Sequence, residues 1–171
     1  MKKILFSFAI ILGVSLSAQG TIHIFNYTTY ELTNTLGAYS SSSGGCYPNV
    51  SGTNNPLPPG GSVSYTNFNT SHMSTPPINY WTIYNGTGAP SNQTPPSPIL
   101  GVLSGVTTWQ SNKFSLRYTS GSSVPYGGGS IGVVVCGAPP VTTLTPTPAI
   151  PYPFEAFWFT AGGETFFVLQ P

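Results

Sequence analysis

Residues 154–170 read FEAFWFTAGGETFFVLQ, in which two apolar runs flank the pair Gly162-Gly163. Gly-Gly between β-prone runs is typical of a two-residue hairpin turn, because glycine readily adopts the positive φ values that such turns need. A turn at this point sets three cross-strand pairs, which are Phe159 with Phe166, Trp158 with Phe167, and Phe157 with Val168. The stretch therefore predicts a C-terminal β-hairpin over residues 154–170.

The two faces of this hairpin differ, since successive side chains of a strand point to opposite sides. We expect the uncharged face to pack into the core, with Phe154, Ala156, Trp158, Phe167 and Leu169. The other face has Phe157, Phe159, Phe166 and Val168 between Glu155 and Glu164. An apolar centre with a polar margin is typical of interfaces, so we predict contact there with a second protein or another copy. The alternative is that the second sheet or a proline-rich segment covers this face.

The remaining chain alternates with a period of two and is interrupted by turn residues, which favours strands and leaves little room for helices. The clearest strand is 113–119, where Phe114, Leu116 and Tyr118 alternate with polar side chains. Further strands are predicted at 20–27, 28–36, 62–69, 77–85, 98–104, 106–110 and 130–136, the last as a central strand. About nine short strands with long polar loops predict an all-β fold, an antiparallel β-sandwich of Ig-like or jelly-roll type.

The first 18 residues have the parts of a secretory signal peptide. Lys2 and Lys3 precede the mostly apolar run 4–14, and small residues lead to Ala18. The apolar run is too short for a membrane span, which needs about 20 residues. We predict a bacterial-type signal peptide cleaved after Ala18, a secreted or cell-surface protein, and a mature chain 19–171 that forms one domain without a membrane span.

Two further features organise the mature chain. Six of the residues 139–153 are proline, which predicts an extended crossover at the surface or at a sheet edge before the hairpin. Cys46 and Cys136 are the only cysteines. In an oxidising compartment such a pair usually forms a disulfide, so we predict a structural Cys46–Cys136 bond.

Charge excludes several classes of function. Charged residues make up 4% of the chain, and aspartate is absent, whereas about a quarter of an ordinary domain is charged. After signal cleavage Lys113 and Arg117 are the only Lys or Arg residues, too few to follow a phosphate backbone, so we expect no nucleic-acid partner. His23 and His72 lie far apart in sequence, and we expect neither a metal site nor a cofactor.

Catalytic patterns are weak. Residues 128–132 read GGSIG and match the G-x-S-x-G motif at Ser130, but that motif requires a following helix and, later in the chain, an acid and a histidine. Glu155 and Glu164 lie about 20 Å apart in the predicted hairpin at roughly 3.4 Å per residue, whereas glycosidase carboxylates lie about 5 to 9.5 Å apart. We therefore predict no enzyme activity, and a hydrolase is the least favoured function.

Two functions suit the remaining neutral, aromatic and hydroxyl-rich composition. The first is a structural or adhesive protein that binds itself or another surface protein. The alternative is a module that binds uncharged polysaccharide by stacking sugar rings on aromatic side chains, for which the candidates are Trp81, Tyr84, Trp109 and Tyr118. Each of these four side chains also suits a β-sandwich core.

Overall fold

The computed structural model describes residues 19–40, 46–118, 127–133, 139–145 and 154–171. These residues form the strands β1 (Ile22–Asn26), β2 (Glu31–Ser40), β3 (Asn49–Thr53), β4 (Ser62–Tyr65), β5 (Trp81–Tyr84), β6 (Ser91–Gln93), β7 (Thr107–Arg117), β8 (Gly127–Gly132), β9 (Thr143–Leu144), β10 (Glu155–Ala161) and β11 (Glu164–Gln170). One 3₁₀ turn (Ser71–Met73) and one α-helix, α1 (Pro98–Val106), are also described.

The strands form two stacked sheets, which confirms the predicted β-sandwich. One sheet has five strands in the order β4-β1-β11-β10-β9, and the other has six in the order β6-β5-β3-β2-β7-β8. Most neighbours are antiparallel, but β1 and β11 pair in parallel. This pair joins strands from opposite ends of the sequence, so no short turn dictates their relative direction.

The C-terminal hairpin has the predicted register. Phe159 pairs with Phe166, and Gly162 and Gly163 have φ values of 60° and 81° at the turn. The five side chains of the predicted core face, Phe154, Ala156, Trp158, Phe167 and Leu169, are all buried. Alternation and turn chemistry are local properties, which is why the sequence predicts this element correctly.

An aromatic cluster holds the two sheets together at one end of the core. The ring of Phe68 lies 4.6 Å from that of Trp81 and 5.4 Å from that of Trp109, measured between ring centroids. Trp81 donates a hydrogen bond from Nε1 to Ser71 Oγ at 2.9 Å, which satisfies its buried polar group. Gly52 lies against the Trp81 indole, where a Cβ atom would overlap three ring atoms.

Segment 98–104 is a helix and not the predicted strand. Ser97 takes an extended N-cap conformation and Pro98 opens α1, a position where proline's fixed φ and missing N–H are tolerated. Leu100 and Leu103, three residues apart, are the buried side chains of the helix. The short apolar run 98–104 fits a strand as well as a helix, and the serine followed by proline is the helix-start signal that separates the two.

Other strand predictions also change. Strand β3 lies between residues 36 and 62, where no strand is predicted from the sequence. The two predicted strands 106–110 and 113–119 are largely one continuous strand, β7. Among the described strands β8 lies at the edge of its sheet, beside β7, so the described part of the strand predicted at 130–136 is not central. Residues 134–136 of that prediction lie outside the described residues. The run of glycines in β8 leaves few side chains for a second sheet to cover.

The proline-rich segment follows a sheet edge where it is described. Thr143 and Leu144 form the two-residue edge strand β9, and Val141 bridges to Gly132. Residues 146–153, the predicted signal peptide 1–18 and Cys136 lie outside the described residues. The signal peptide and the Cys46–Cys136 bond therefore stay predictions.

Candidate functional site

The outer surface of the five-stranded sheet carries a row of aromatic side chains. Because Ile22, Ile24, Phe167 and Leu169 point into the core, their strand neighbours point outward. We call the six outward residues at its centre the aromatic face: His23, Phe25, Phe157, Phe159, Phe166 and Val168. Their registers join in two rungs across β1, β11 and β10. Phe159 is 46% exposed, and the others are partly exposed.

The first rung is a stack of three rings. Phe159 and Phe166 have centroids 5.0 Å apart and planes inclined by 8°. Phe166 and His23 have centroids 4.9 Å apart and planes inclined by 20°. Parallel rings that lay side by side in one plane would overlap at these distances, so the three rings lie over one another.

Phe166 is the middle ring of this stack. Its strand β11 lies between β10 and β1, so Phe159 and His23 cover its opposite faces. What Phe166 presents to solvent is therefore the edge of its ring, where the hydrogens carry partial positive charge. At Phe166 the aromatic face therefore presents a ring edge and not a ring face.

His23 also joins a polar chain across the same surface. Its Nδ1 lies 2.8 Å from Ser64 Oγ on β4, and its Nε2 lies 3.0 Å from Glu164 Oε2 on β11. The Glu164 side chain is 47% exposed and that of His23 is 22% exposed. No local sequence pattern signals this arrangement, because two separate pairings bring the three residues together. The parallel pairing of β1 with β11 places Glu164 beside His23, and the pairing of β1 with β4 places Ser64 beside it.

A serine, a histidine and a carboxylate within hydrogen-bond reach resemble the parts of a catalytic triad. Acyl transfer also needs donors that stabilise an oxyanion. Ser64 lies within a regular ladder, paired with His23, where backbone N–H groups lie in the plane of the sheet and not above it. The arrangement fixes the orientation of the His23 ring beside Phe166.

Two of the predicted sugar-stacking residues are in the core. Trp81 and Trp109 are 0% and 2% exposed, so their prediction as stacking platforms is wrong, and the core alternative describes them. Both rings face inward because Trp81 and Trp109 stand at buried positions of their strands, β5 and β7. A single residue in a sequence does not show whether its position is buried.

The two tyrosines do not complete a site. Tyr84 lies level with Tyr39 through Asn49, whereas Tyr118 follows Arg117, the partner of Glu31. Tyr118 therefore lies level with residue 30, nine residues before Tyr39. The two tyrosines are thus separated by about 30 Å along the strand direction, at roughly 3.4 Å per residue. The structure therefore places the four predicted residues in no common site.

The motif at Ser130 also has a structural explanation. Ser130 is an exposed residue within β8, which continues as a strand to Gly132, whereas the motif needs a turn and a helix directly after its serine. The described residues contain no group of three His, Cys, Asp or Glu side chains placed to hold a metal ion. Lys113 lies exposed on the outer surface of the six-stranded sheet, on the same side of β7 as Arg117.

Comparison with protein-family models, with curated proteins and with solved structures found no match to this chain. Within the described ranges, the helices are too short or too polar to cross a membrane.

Proposed function

We propose that this chain is a secreted, non-catalytic structural or adhesive protein that self-associates through its aromatic face. The observation that carries the proposal is the exposed three-ring stack of Phe159, Phe166 and His23 on a sheet surface that no described element covers. Single exposed apolar side chains are ordinary, but a contiguous apolar patch on a secreted protein marks an interaction site.

The charges around the patch support a second copy as the occupant. Glu155 and Glu164 lie at opposite ends of the hairpin, since Glu155 pairs with Gln170 and Ala161 pairs with Glu164. The apolar centre between them is free of charged side chains, so two such faces pack without burying an unpaired charge. A face that meets its own copy about a twofold axis needs no other partner.

The geometry at Phe166, the middle ring of the stack, favours a protein over a neutral glycan at the centre of the aromatic face. A sugar stacks its C–H groups on the electron-rich face of an aromatic ring, and both faces of Phe166 are already covered. Ring edges and aliphatic groups such as Val168 instead suit close packing with other apolar side chains. Neutral polysaccharide is thus the alternative occupant, to be separated by experiment.

The decisive experiment is sedimentation of the mature protein over a range of concentrations and salt levels. We expect association that persists at high salt, because few charges take part, and that weakens in Phe159→Ser. The matched control is Tyr80→Ser, which alters a similarly exposed aromatic side chain away from the aromatic face. Monomers at all concentrations, or retention on insoluble neutral polysaccharide that Phe159→Ser abolishes, would contradict self-association through this face.

A further inference from the structure

A cleft of about 620 Å³ opens at one end of the sandwich, beside the turn of the C-terminal hairpin. Its walls are formed by residues 19–21, 66–67, 104–105 and 162–164. The segment that leads into β1 is firmly held there. Gly20 O accepts a hydrogen bond from Trp109 Nε1 at 3.0 Å, and Thr21 O accepts one from Thr165 N at 2.8 Å.

Glycine is required at position 20 for two reasons. Its φ is +57°, and a Cβ atom there would overlap Gly163 O. This tight approach places the preceding residue, Gln19, against the cleft. Gln19 is only 5% exposed, and neither its Oε1 nor its Nε2 has a hydrogen-bond partner within the described residues. A buried amide without partners is costly, since it loses its hydrogen bonds to water without replacement.

Signal cleavage after Ala18 would add a second cost at the same place. Gln19 would then carry the α-ammonium group, and burying a charge is unfavourable unless it is paired. Glu164 is the single charged side chain that lines the cleft. Its carboxylate already accepts the bond from His23 Nε2 at 3.0 Å.

We propose that Gln19 cyclises to pyroglutamate and that the lactam occupies this end of the sandwich as the blocked N-terminus of the mature protein. The α-ammonium first loses one proton to water. The neutral α-nitrogen then attacks Cδ of its own side chain, an N–Cδ amide bond forms, and the Cδ–Nε2 bond breaks. The leaving nitrogen takes a proton from the α-nitrogen and departs as ammonia, so no oxidant or other reactant is needed. The product removes both the charge and the unpaired NH₂ group.

The inference rests on the proposed secretion and cleavage site, and mass spectrometry separates the two. The full chain is expressed with its own signal in a secreting bacterial host, and the N-terminal peptide of the mature protein is sequenced. We expect a peptide that begins at residue 19 and is lighter than the encoded sequence by one molecule of ammonia. A peptide that begins at residue 19 with a free amine overturns cyclisation and leaves secretion intact. A different first residue overturns the cleavage site and the inference together.

Burial of the lactam is tested with pyroglutamyl peptidase. The enzyme should remove the pyroglutamate from unfolded protein and not from native protein. Removal from the native protein would contradict the proposed burial of the lactam in the cleft. The matched variant is Gln19→Asn, which keeps a side-chain amide but is too short to form a five-membered lactam. We expect this variant to retain a free amine and to unfold at lower denaturant concentration. An unchanged unfolding midpoint would show that the fold does not depend on the lactam.

Discussion

Phe159 and Phe166 face each other across the C-terminal hairpin and stack with their planes only 8° apart. The next pair along the same two strands, Trp158 and Phe167, points to the opposite side and is buried. One hairpin thus supplies both a core wall and an exposed aromatic surface. The two roles are separable because neighbouring residues of a strand never share a face.

Phe166→Ser and Phe167→Ser test this separation at adjacent positions. Phe167 is 0% exposed and its ring lies 5.1 Å from that of Phe114, so we expect its loss to lower the free energy of unfolding by at least about 3 to 5 kcal/mol. Phe166→Ser removes two ring contacts and should cost about 1 to 3 kcal/mol, at about 0.5 to 1.5 kcal/mol for each aromatic pair. It should also weaken self-association. Urea unfolding and sedimentation measure the two effects. Equal destabilisation by both variants would place the aromatic face in the core.

Glycine substitutions test packing elsewhere in the sandwich. A Cβ at Gly52 would lie within 2.5 to 2.8 Å of three atoms of the Trp81 ring, so Gly52→Ala should destabilise the fold by about 1 to 3 kcal/mol. The control is Gly105→Ala in α1, where nothing lies within 4 Å of the added Cβ. That change should stabilise the protein by about 0.5 to 1 kcal/mol through helix propensity. Thermal unfolding of both variants checks the opposite signs.

Because Tyr65 is buried, we expect the free energy of unfolding to fall at high pH. Burial raises the pKa of Tyr65 well above its usual range, while a hydrogen bond with Asn54 opposes part of this effect. The folded protein therefore keeps the Tyr65 proton at a pH where the unfolded chain, with a tyrosine pKa of about 10, has lost it. Stability from this group is complete below about pH 10 and declines as the pH rises further.

Spectroscopic titration of tyrosinate measures this effect. One tyrosine should resist ionisation until the fold opens, and Tyr65→Phe should remove that component and flatten the decline in stability above pH 10. The variant should also be less stable at neutral pH, because Tyr65 donates a 2.7 Å hydrogen bond to Pro76 O. A pH profile that Tyr65→Phe leaves unchanged would contradict the assignment.

The polar chain of Ser64, His23 and Glu164 provides a direct test of the proposed absence of catalysis. The mature protein should show no activity toward ester, amide and glycoside substrates, because Ser64 lies in a ladder whose backbone N–H groups lie in the plane of the sheet and not above it. Ser64→Ala and Ser130→Ala should both leave the background rate of hydrolysis unchanged. Hydrolysis that Ser64→Ala abolishes would establish an active site at His23.

The Cys46–Cys136 bond is tested by titrating thiols in the denatured, unreduced mature protein. We expect no reactive thiol, and reduction should lower stability by up to about 4 to 5 kcal/mol in the chain-entropy description of a long loop. A Cys46→Ser, Cys136→Ser double variant that matches the reduced protein completes the comparison. Two reactive thiols in the unreduced protein would exclude the disulfide.

The sequence alone determined those elements whose physical cause is local. The register of the C-terminal hairpin followed from Gly162-Gly163 and from the alternation around it, and the buried side chains Phe114 and Leu116 of β7 followed from the same period. A short apolar run such as that of α1 fits both the strand period and the helix period, so apolar spacing alone does not predict its structure. Pro98, the first residue of the helix, is the sequence signal that distinguishes this helix from a strand.

Only the tertiary structure decided which surfaces meet. The parallel pairing of β1 with β11 places His23 against Phe166, and the pairing of β1 with β4 places it beside Ser64. The tertiary structure also buries Trp81 and Trp109 and leaves Phe159 exposed. These outcomes depend on contacts between residues far apart in the chain, and alternation in one strand specifies that it has two faces but not which face another strand or sheet will cover.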